Sequence, residues 1–299
     1  MKVEIVEVAA RDGLQNEKVQ FTTAQKIDLI HRMIAAGARR LEVASFVRAD
    51  RVPQMADAEA VIAGLDLPAN VVTIGLVLNP RGLDRALRTD VCEVGAVCVA
   101  SDTFARKNQG EASAQSAKIA ADVVREARAA GRRAQATIGA AFGCPFEGEV
   151  DTAWVMAIAE EIAAAGPVEI ALADTVGVAV PREVASLVEK VKATTGLPIR
   201  VHLHDTRGAG IANAWAAIGA GAATLDASLG GIGGCPFAPG ATGNIATEDL
   251  VYLCARSGVT TGYDLDRTIA TARWLAGEMG RALPGAVSRA GGFPMKEDR

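Results

Sequence analysis

Five cysteines in 299 residues, with no Cys-x-x-Cys pair among them, leave this chain without a disulfide framework or a thiolate zinc site. Cys92, Cys98, Cys144, Cys235 and Cys254 are odd in number and unevenly spaced, and read as free thiols. No apolar run reaches the roughly 20 residues of a membrane-spanning helix, so no membrane partner is expected. Lys and Arg are scattered and the formal charge is only −4, which excludes the basic surface of a nucleic-acid binder. The first residues show no basic stretch, apolar run and cleavage site, so the expected location is cytoplasmic. Low-complexity linkers and shifts in composition are also missing. One domain is expected over 1–299, long enough for a large core, with a frayed tail at 288–299 that is rich in Gly and charge.

What is present is a rhythm. Short β-branched runs alternate with Ala-rich amphipathic stretches along the whole length, the pattern of strand-helix repeats around a parallel sheet. Strands are predicted near 3–8, 40–45, 70–77, 92–99, 133–139, 168–173, 198–204 and 223–228. Helices are predicted near 23–36, 54–64, 80–88, 111–131, 152–165, 181–194, 208–220 and 244–257, with Thr152, Pro181 and Thr247 as starting residues. Eight such units predict an α/β fold, a (β/α)8 TIM barrel, with a further helix near 264–281. An open doubly wound sheet fits less well, because the first strand runs into Ala9-Ala10-Arg11-Asp12-Gly13 and not a glycine fingerprint.

Histidine is scarce, with three in the chain, yet two of them stand one residue apart in Val201-His202-Leu203-His204-Asp205. Alternation along a strand points both imidazoles the same way, a start for a divalent metal site that still needs oxygen ligands. Barrel chemistry sits at the C-terminal ends of the strands, so the polar residues there are the candidates. Asp12 is the natural carboxylate and Asn244 a fourth, amide ligand; as a residue before Gly13, Asp12 equally suits a turn. Mixed N and O ligation without thiolate fits Mg²⁺, Mn²⁺ or Zn²⁺. Arg11 would neutralise an oxyanion on substrate, or else sit in a surface ion pair. Glu42, inside the apolar run Leu41-Glu42-Val43-Ala44, needs a partner, and Arg11 would supply one. Asp174 ends the sixth strand, where a turn and a site role both remain open, and Asp205-Thr206 suits a helix cap. His31, in an apolar helical stretch, reads as a packing or surface residue.

The segment 230–244 carries six glycines in fifteen residues around Cys235. Such a loop over a barrel mouth would act as a lid that brings a general acid or base, or would be a merely flexible connection. It lacks the spacing and the lysine of a phosphate-binding loop. Gly143-Cys144-Pro145-Phe146-Glu147-Gly148 is a second Cys-Pro-Phe segment, read as structural.

Several segments together resemble the 3-hydroxy-3-methylglutaryl-CoA lyase family along almost the whole chain. They are Arg11-Asp12-Gly13-Leu14-Gln15-Asn16-Glu17, Glu42-Val43-Ala44-Ser45-Phe46-Val47, Val52-Pro53-Gln54-Met55, Lys107-Asn108, the segment from Gly143 to Gly148, Asp174-Thr175-Val176-Gly177, His202-Leu203-His204-Asp205-Thr206 and the loop ending Gly243-Asn244. The resemblance implies Mg²⁺ or Mn²⁺ at Asp12, His202, His204 and Asn244, a homodimer, an acyl-CoA substrate and a place in leucine degradation. It also implies Arg11 on an enolate oxygen, Cys235 in proton transfer, and Asp12 and Glu42 as further catalytic groups. Arg11, Gln15, Ser45, Thr137, Asp174 and Thr175 are then the candidate substrate contacts.

The expected reaction is cleavage of 3-hydroxy-3-methylglutaryl-CoA to acetyl-CoA and acetoacetate. Three departures from animal members bear on the acyl group: Thr137 where they have tyrosine, Gly139 for a serine and Arg207 for a tyrosine. They keep open a related thioester such as citramalyl-CoA or a longer branched glutaryl-CoA. Condensation of acetyl-CoA with a 2-oxo acid and a non-catalytic metal-binding barrel are the remaining alternatives.

Overall fold

In the computed structural model, eight short strands follow one another in sequence order around a closed, wholly parallel barrel. The structure describes residues 1–234 and 243–294. The strands are β1 (Glu4–Glu7), β2 (Arg40–Ser45), β3 (Val72–Val77), β4 (Glu93–Val99), β5 (Arg133–Gly139), β6 (Ile170–Asp174), β7 (Ile199–Leu203) and β8 (Thr224–Ala227). Pairing of Glu4 with Thr224 through Glu7 with Ala227 closes the ring.

Alternation sorts the strand residues. Ile5, Leu41, Ile138, Leu172, Val201 and Leu225 face outward into the main core, fully buried against the helices. These helices are α1 (Thr23–Ala35), α2 (Ala58–Ala63), α3 (Pro80–Leu87), α4 (Asp102–Gln109), α5 (Ser113–Ala129), α6 (Thr152–Ala164), α7 (Pro181–Thr195), α8 (Gly210–Gly219), α9 (Thr247–Arg256), α10 (Leu265–Met279) and α11 (Ala286–Ala290). Val6, Val8 and Ile74 make a small apolar cluster separate from the main core. Much of the remaining interior is charged. Arg40 pairs with Glu93 and with Glu169 (2.8 Å), and Arg200 with Glu169 (3.5 Å) and Asp226 (3.2 Å).

The predicted strands all occur, and α6, α7 and α9 begin at the predicted Thr152, Pro181 and Thr247. Four details differ. The helix expected over 54–64 shortens to α2 behind a 3-10 turn at Pro53–Met55, and α4 was not anticipated. The helix expected from 244 starts at Thr247, because His204 and Asn244 pair as an isolated antiparallel bridge. The tail expected to fray from 288 is helical to Ala290, its first turn tied down by Asp249, which accepts from Ala286 N (2.9 Å) and Val287 N (2.7 Å). Residues 295–299 lie outside the described residues.

Candidate active site

The site begins where β1 stops. Ala9–Gly13 forms a π-helical turn, an arrangement frequent at functional sites, that buries Arg11 and leaves Asp12 partly open. Gly13 is needed there for space, since a Cβ would lie 2.7 Å from Ile232 Cγ1 and 2.8 Å from Ser228 Oγ. Arg11 reaches in two directions, with Nη1 on Asp12 Oδ1 (2.6 Å) and Nη2 on Glu42. The Arg11–Glu42 pair expected from the sequence therefore exists, and it settles the buried carboxylate in its apolar strand.

His202 and His204 project into the barrel mouth with their Nε2 atoms 3.1 Å apart. Asp12 Oδ2 lies 3.9 Å from His202 Nε2. One ligand atom from each of Asp12, His202 and His204 falls within 4.8 Å of the others. Asn244 is pinned beside them by the backbone: Ile245 N donates to Leu203 O (3.1 Å) and Asp205 N to Gly243 O (3.1 Å). Its Nδ2 donates to Asp12 Oδ2 (2.7 Å). Its Oδ1 is buried with no hydrogen-bond partner among the described residues, an oxygen left for a hard cation. Two imidazoles, a carboxylate and a spare amide oxygen fit a divalent ion of the Mg²⁺, Mn²⁺ or Zn²⁺ type.

Electrostatics prepare this set. Burial pushes Asp12 up, but Arg11 and the two histidines outweigh it and hold the carboxyl well below its usual range. Burial and the neighbouring His202 lower His204 to about 4, so its ring is neutral and its lone pair free at neutral pH. Burial opposes charge on His202, and the hydrogen bond to Asp226 reverses that into a net upward shift. Burial leaves Glu42 above the ordinary glutamate range even against Arg11.

The other predicted contacts are placed as follows. Gln15 is half-buried just beyond Asp12, and Thr137 is half-buried on β5. Ser45 is fully buried at the end of β2, its Oγ without a partner among the described residues. Both Asp174 oxygens accept backbone N–H groups, from Val178 (2.9 Å) and Ala179 (3.0 Å), so the carboxylate shapes its own loop. Thr175 Oγ1 accepts from Ala140 N (2.9 Å). Asp205 accepts from Gly210 N (2.7 Å), the first residue of α8, but from outside the N-cap position, which Ala209 holds. Arg207 Nη1 donates to Val176 O (3.1 Å) and Gly177 O (3.0 Å). Cys235 lies outside the described residues. The flanks of its loop are at the mouth, where Asn16 Nδ2 donates to Gly234 O (2.8 Å) and Gly243 sits beside β7.

Two residues of the site escaped the sequence reading: Asp226 behind His202 (3.0 Å) and Arg200 behind Asp226 (3.2 Å). Their signal was a charge inside an apolar strand at the same parity as the site residues.

A family model described as HMGL-like matches residues 2–275. The chain belongs to the HMGL-like family. Curated HMGL-like relatives include (R)-citramalyl-CoA lyase of Chloroflexus aurantiacus, 44% identical over 97% of this chain and 95% of that protein. Hydroxymethylglutaryl-CoA lyase YngG of Bacillus subtilis is 38% identical over 95% of each chain. A solved HMG-CoA lyase of Acinetobacter baumannii, in complex with coenzyme A and 3-methylmalate, superposes with a TM-score of 0.94 at 36% identity, covering 100% of this chain and 98% of the other. As an HMGL-like protein this chain is a carbon-carbon lyase of a metal-dependent family, and the candidate metal site is present at the place where such barrels do their chemistry.

Proposed function

We propose that this lyase cleaves a 3-hydroxyacyl-CoA carrying a carboxylate-bearing branch at C3, releasing acetyl-CoA and an oxo acid, with (R)-citramalyl-CoA as its substrate. The observation that carries the reaction is the convergence of Asp12, His202 and His204 with the Arg11–Glu42 pair at one barrel mouth. The acyl group rests on the 44% identity to a citramalyl-CoA lyase and on half-buried Thr137, where the resembling animal enzymes carry tyrosine. 3-Hydroxy-3-methylglutaryl-CoA is the second reading, supported by the relatives of that name at 36–38% identity.

A Mg²⁺ or Mn²⁺ held by Asp12, His202, His204 and Asn244 would supply Lewis acidity, lowering the pKa of the substrate hydroxyl and offsetting charge on its oxygens. Asp12, ionised across the physiological range, accepts the hydroxyl proton. The carbon-carbon electron pair then passes to the acetyl-CoA carbon as an enolate, and the carbinol carbon becomes the ketone of the oxo acid. Arg11, kept protonated by Glu42 and Asp12 despite its burial, stabilises the enolate oxygen. Cys235 is assigned the proton that completes acetyl-CoA.

Purified protein with Mg²⁺ or Mn²⁺ should release acetyl-CoA and pyruvate from citramalyl-CoA, read by chromatography and a lactate dehydrogenase couple. Acetyl-CoA and acetoacetate from the methylglutaryl thioester alone would move the acyl assignment and keep the reaction. No acetyl-CoA from either, or free CoA released from acetyl-CoA plus pyruvate, would overturn it.

A further inference from the structure

The two histidines of the site are built differently. The pairing of Val201 with Leu225 between β7 and β8 sets His202 next to Asp226 on the inner wall of the barrel. Asp226 Oδ2 lies 3.0 Å from His202 Nδ1, and its other oxygen forms an ion pair with Arg200 Nε at 3.2 Å without hydrogen-bond geometry. Asp226 and Arg200 are both 2% exposed, and Arg200 stands two residues before His202 on the same strand. His204 Nδ1, by contrast, is buried with no partner among the described residues.

We infer that Asp226, paired in charge with Arg200, is a positioning residue for the metal centre: it fixes His202 as the Nδ1–H tautomer and aims the Nε2 lone pair at the ion. A carboxylate behind a ligating imidazole holds the ring direction and raises the basicity of the far nitrogen. Arg200 matters because its charge keeps the buried carboxylate ionised beside the histidine, the form that accepts the Nδ1 proton. His204 has no such carboxylate and takes its direction from the barrel wall and the Asn244 bridge. The inference rests on the metal site of the proposed function and adds the residue that sets its affinity.

The test uses the whole protein and two readouts other than turnover. Mn²⁺ binding is followed by the free-ion signal in electron paramagnetic resonance, and the histidine tautomers by long-range ¹H–¹⁵N NMR of ¹⁵N-histidine-labelled protein. Three histidines make that spectrum assignable with His31→Gln and His204→Gln variants. With Mg²⁺ bound, the parent should show the His202 proton on Nδ1. Asp226→Asn should weaken Mn²⁺ binding by ~10–100-fold. A folded Asp226→Asn variant with unchanged Mn²⁺ affinity overturns the inference, and so does a parent whose His202 proton sits on Nε2, a result that needs no variant to fold. A parent that binds no Mn²⁺ at all would instead overturn the metal site itself.

Discussion

Arg11 is the residue through which two others, Asp12 and Glu42, are tied together. One guanidinium spans Asp12 and Glu42 and stays charged although it is 9% exposed. Lysine keeps the charge but not the fork, so a single ammonium cannot meet two carboxylates on opposite sides and still face an enolate. Arg11→Lys should therefore lower turnover by ~10²–10³. Mn²⁺ affinity should change little, because Asp12, His202 and His204 remain. Steady-state kinetics at saturating metal, run beside a direct Mn²⁺ titration, would separate the two effects. A lysine variant with parental turnover would remove Arg11 from the charge-stabilising role. The same residue shows how far a sequence reaches: an arginine beside an aspartate is legible, and so is a glutamate in an apolar strand that needs a partner.

At the scale of elements, Glu7 is the knot below the site. Its Oε1 accepts from Ala9 N (2.9 Å) and Leu229 N (3.0 Å), and its Oε2 from Thr247 Oγ1 (2.6 Å), joining the end of β1, the turn after β8 and the start of α9. Burial raises this carboxyl to about 7, against those three hydrogen bonds. Between the ordinary glutamate value and about 7 the folded chain holds a proton that the unfolded chain has lost. The stabilisation is thus complete at the acid end of that window and disappears as pH rises through it. Glutamine imitates the protonated acid, keeping an acceptor for the two N–H groups and offering a donor to Thr247. Glu7→Gln should flatten the fall in stability between pH 5 and pH 7.5 and exceed the parent at the upper end, by about 3 kcal/mol at most. Urea midpoints at several pH values check this, and a variant with the parental slope refutes it. Glu248, raised to about 7 mainly by burial, leaves a residual slope of the same sign. Strands and helix starts were legible because alternation and caps are local. α4 was not, because in Asp102–Gln109 only Phe104 and Ala105 are buried and no apolar stripe repeats. α11, five residues with one buried, carries still less pattern and is held from outside by Asp249.

The barrel interior is a property of the whole molecule. Arg40, Glu93, Arg200 and Asp226 come from four strands and Glu169 from the residue before β6, scattered over most of the chain, and they meet only because the sheet closes. That closure is why the candidate ligands were legible and the residues behind them were not. His202 and His204 announce themselves within one strand, whereas Asp226 becomes a site residue only once β8 lies against β7. The charges run from the lower barrel, around Arg40, up to the mouth, which raises the question of whether they act as one unit. Arg40 is 4% exposed and serves Glu93 and Glu169. Methionine would fill its place and leave two buried carboxylates short of a partner, though Arg133 still reaches Glu93 (3.1 Å) and Arg200 still faces Glu169 (3.5 Å). Breaking a buried pair on one side costs about 3–5 kcal/mol, and the remaining arginines place Arg40→Met at the lower end. Glu169 is shared by the two arginines, so any effect on the metal site has to pass through Arg200; with the Arg200–Asp226 ion pair itself untouched, Mn²⁺ affinity should stay within about two-fold of the parent. Urea unfolding and Mn²⁺ titration on the same preparation decide the matter. A stability loss with intact affinity means that the lower cluster supports the fold and the Arg200–Asp226 pair alone serves the metal. A parallel loss of both would mean that the charges form one coupled column, with the bottom of the barrel setting the ligand at its top.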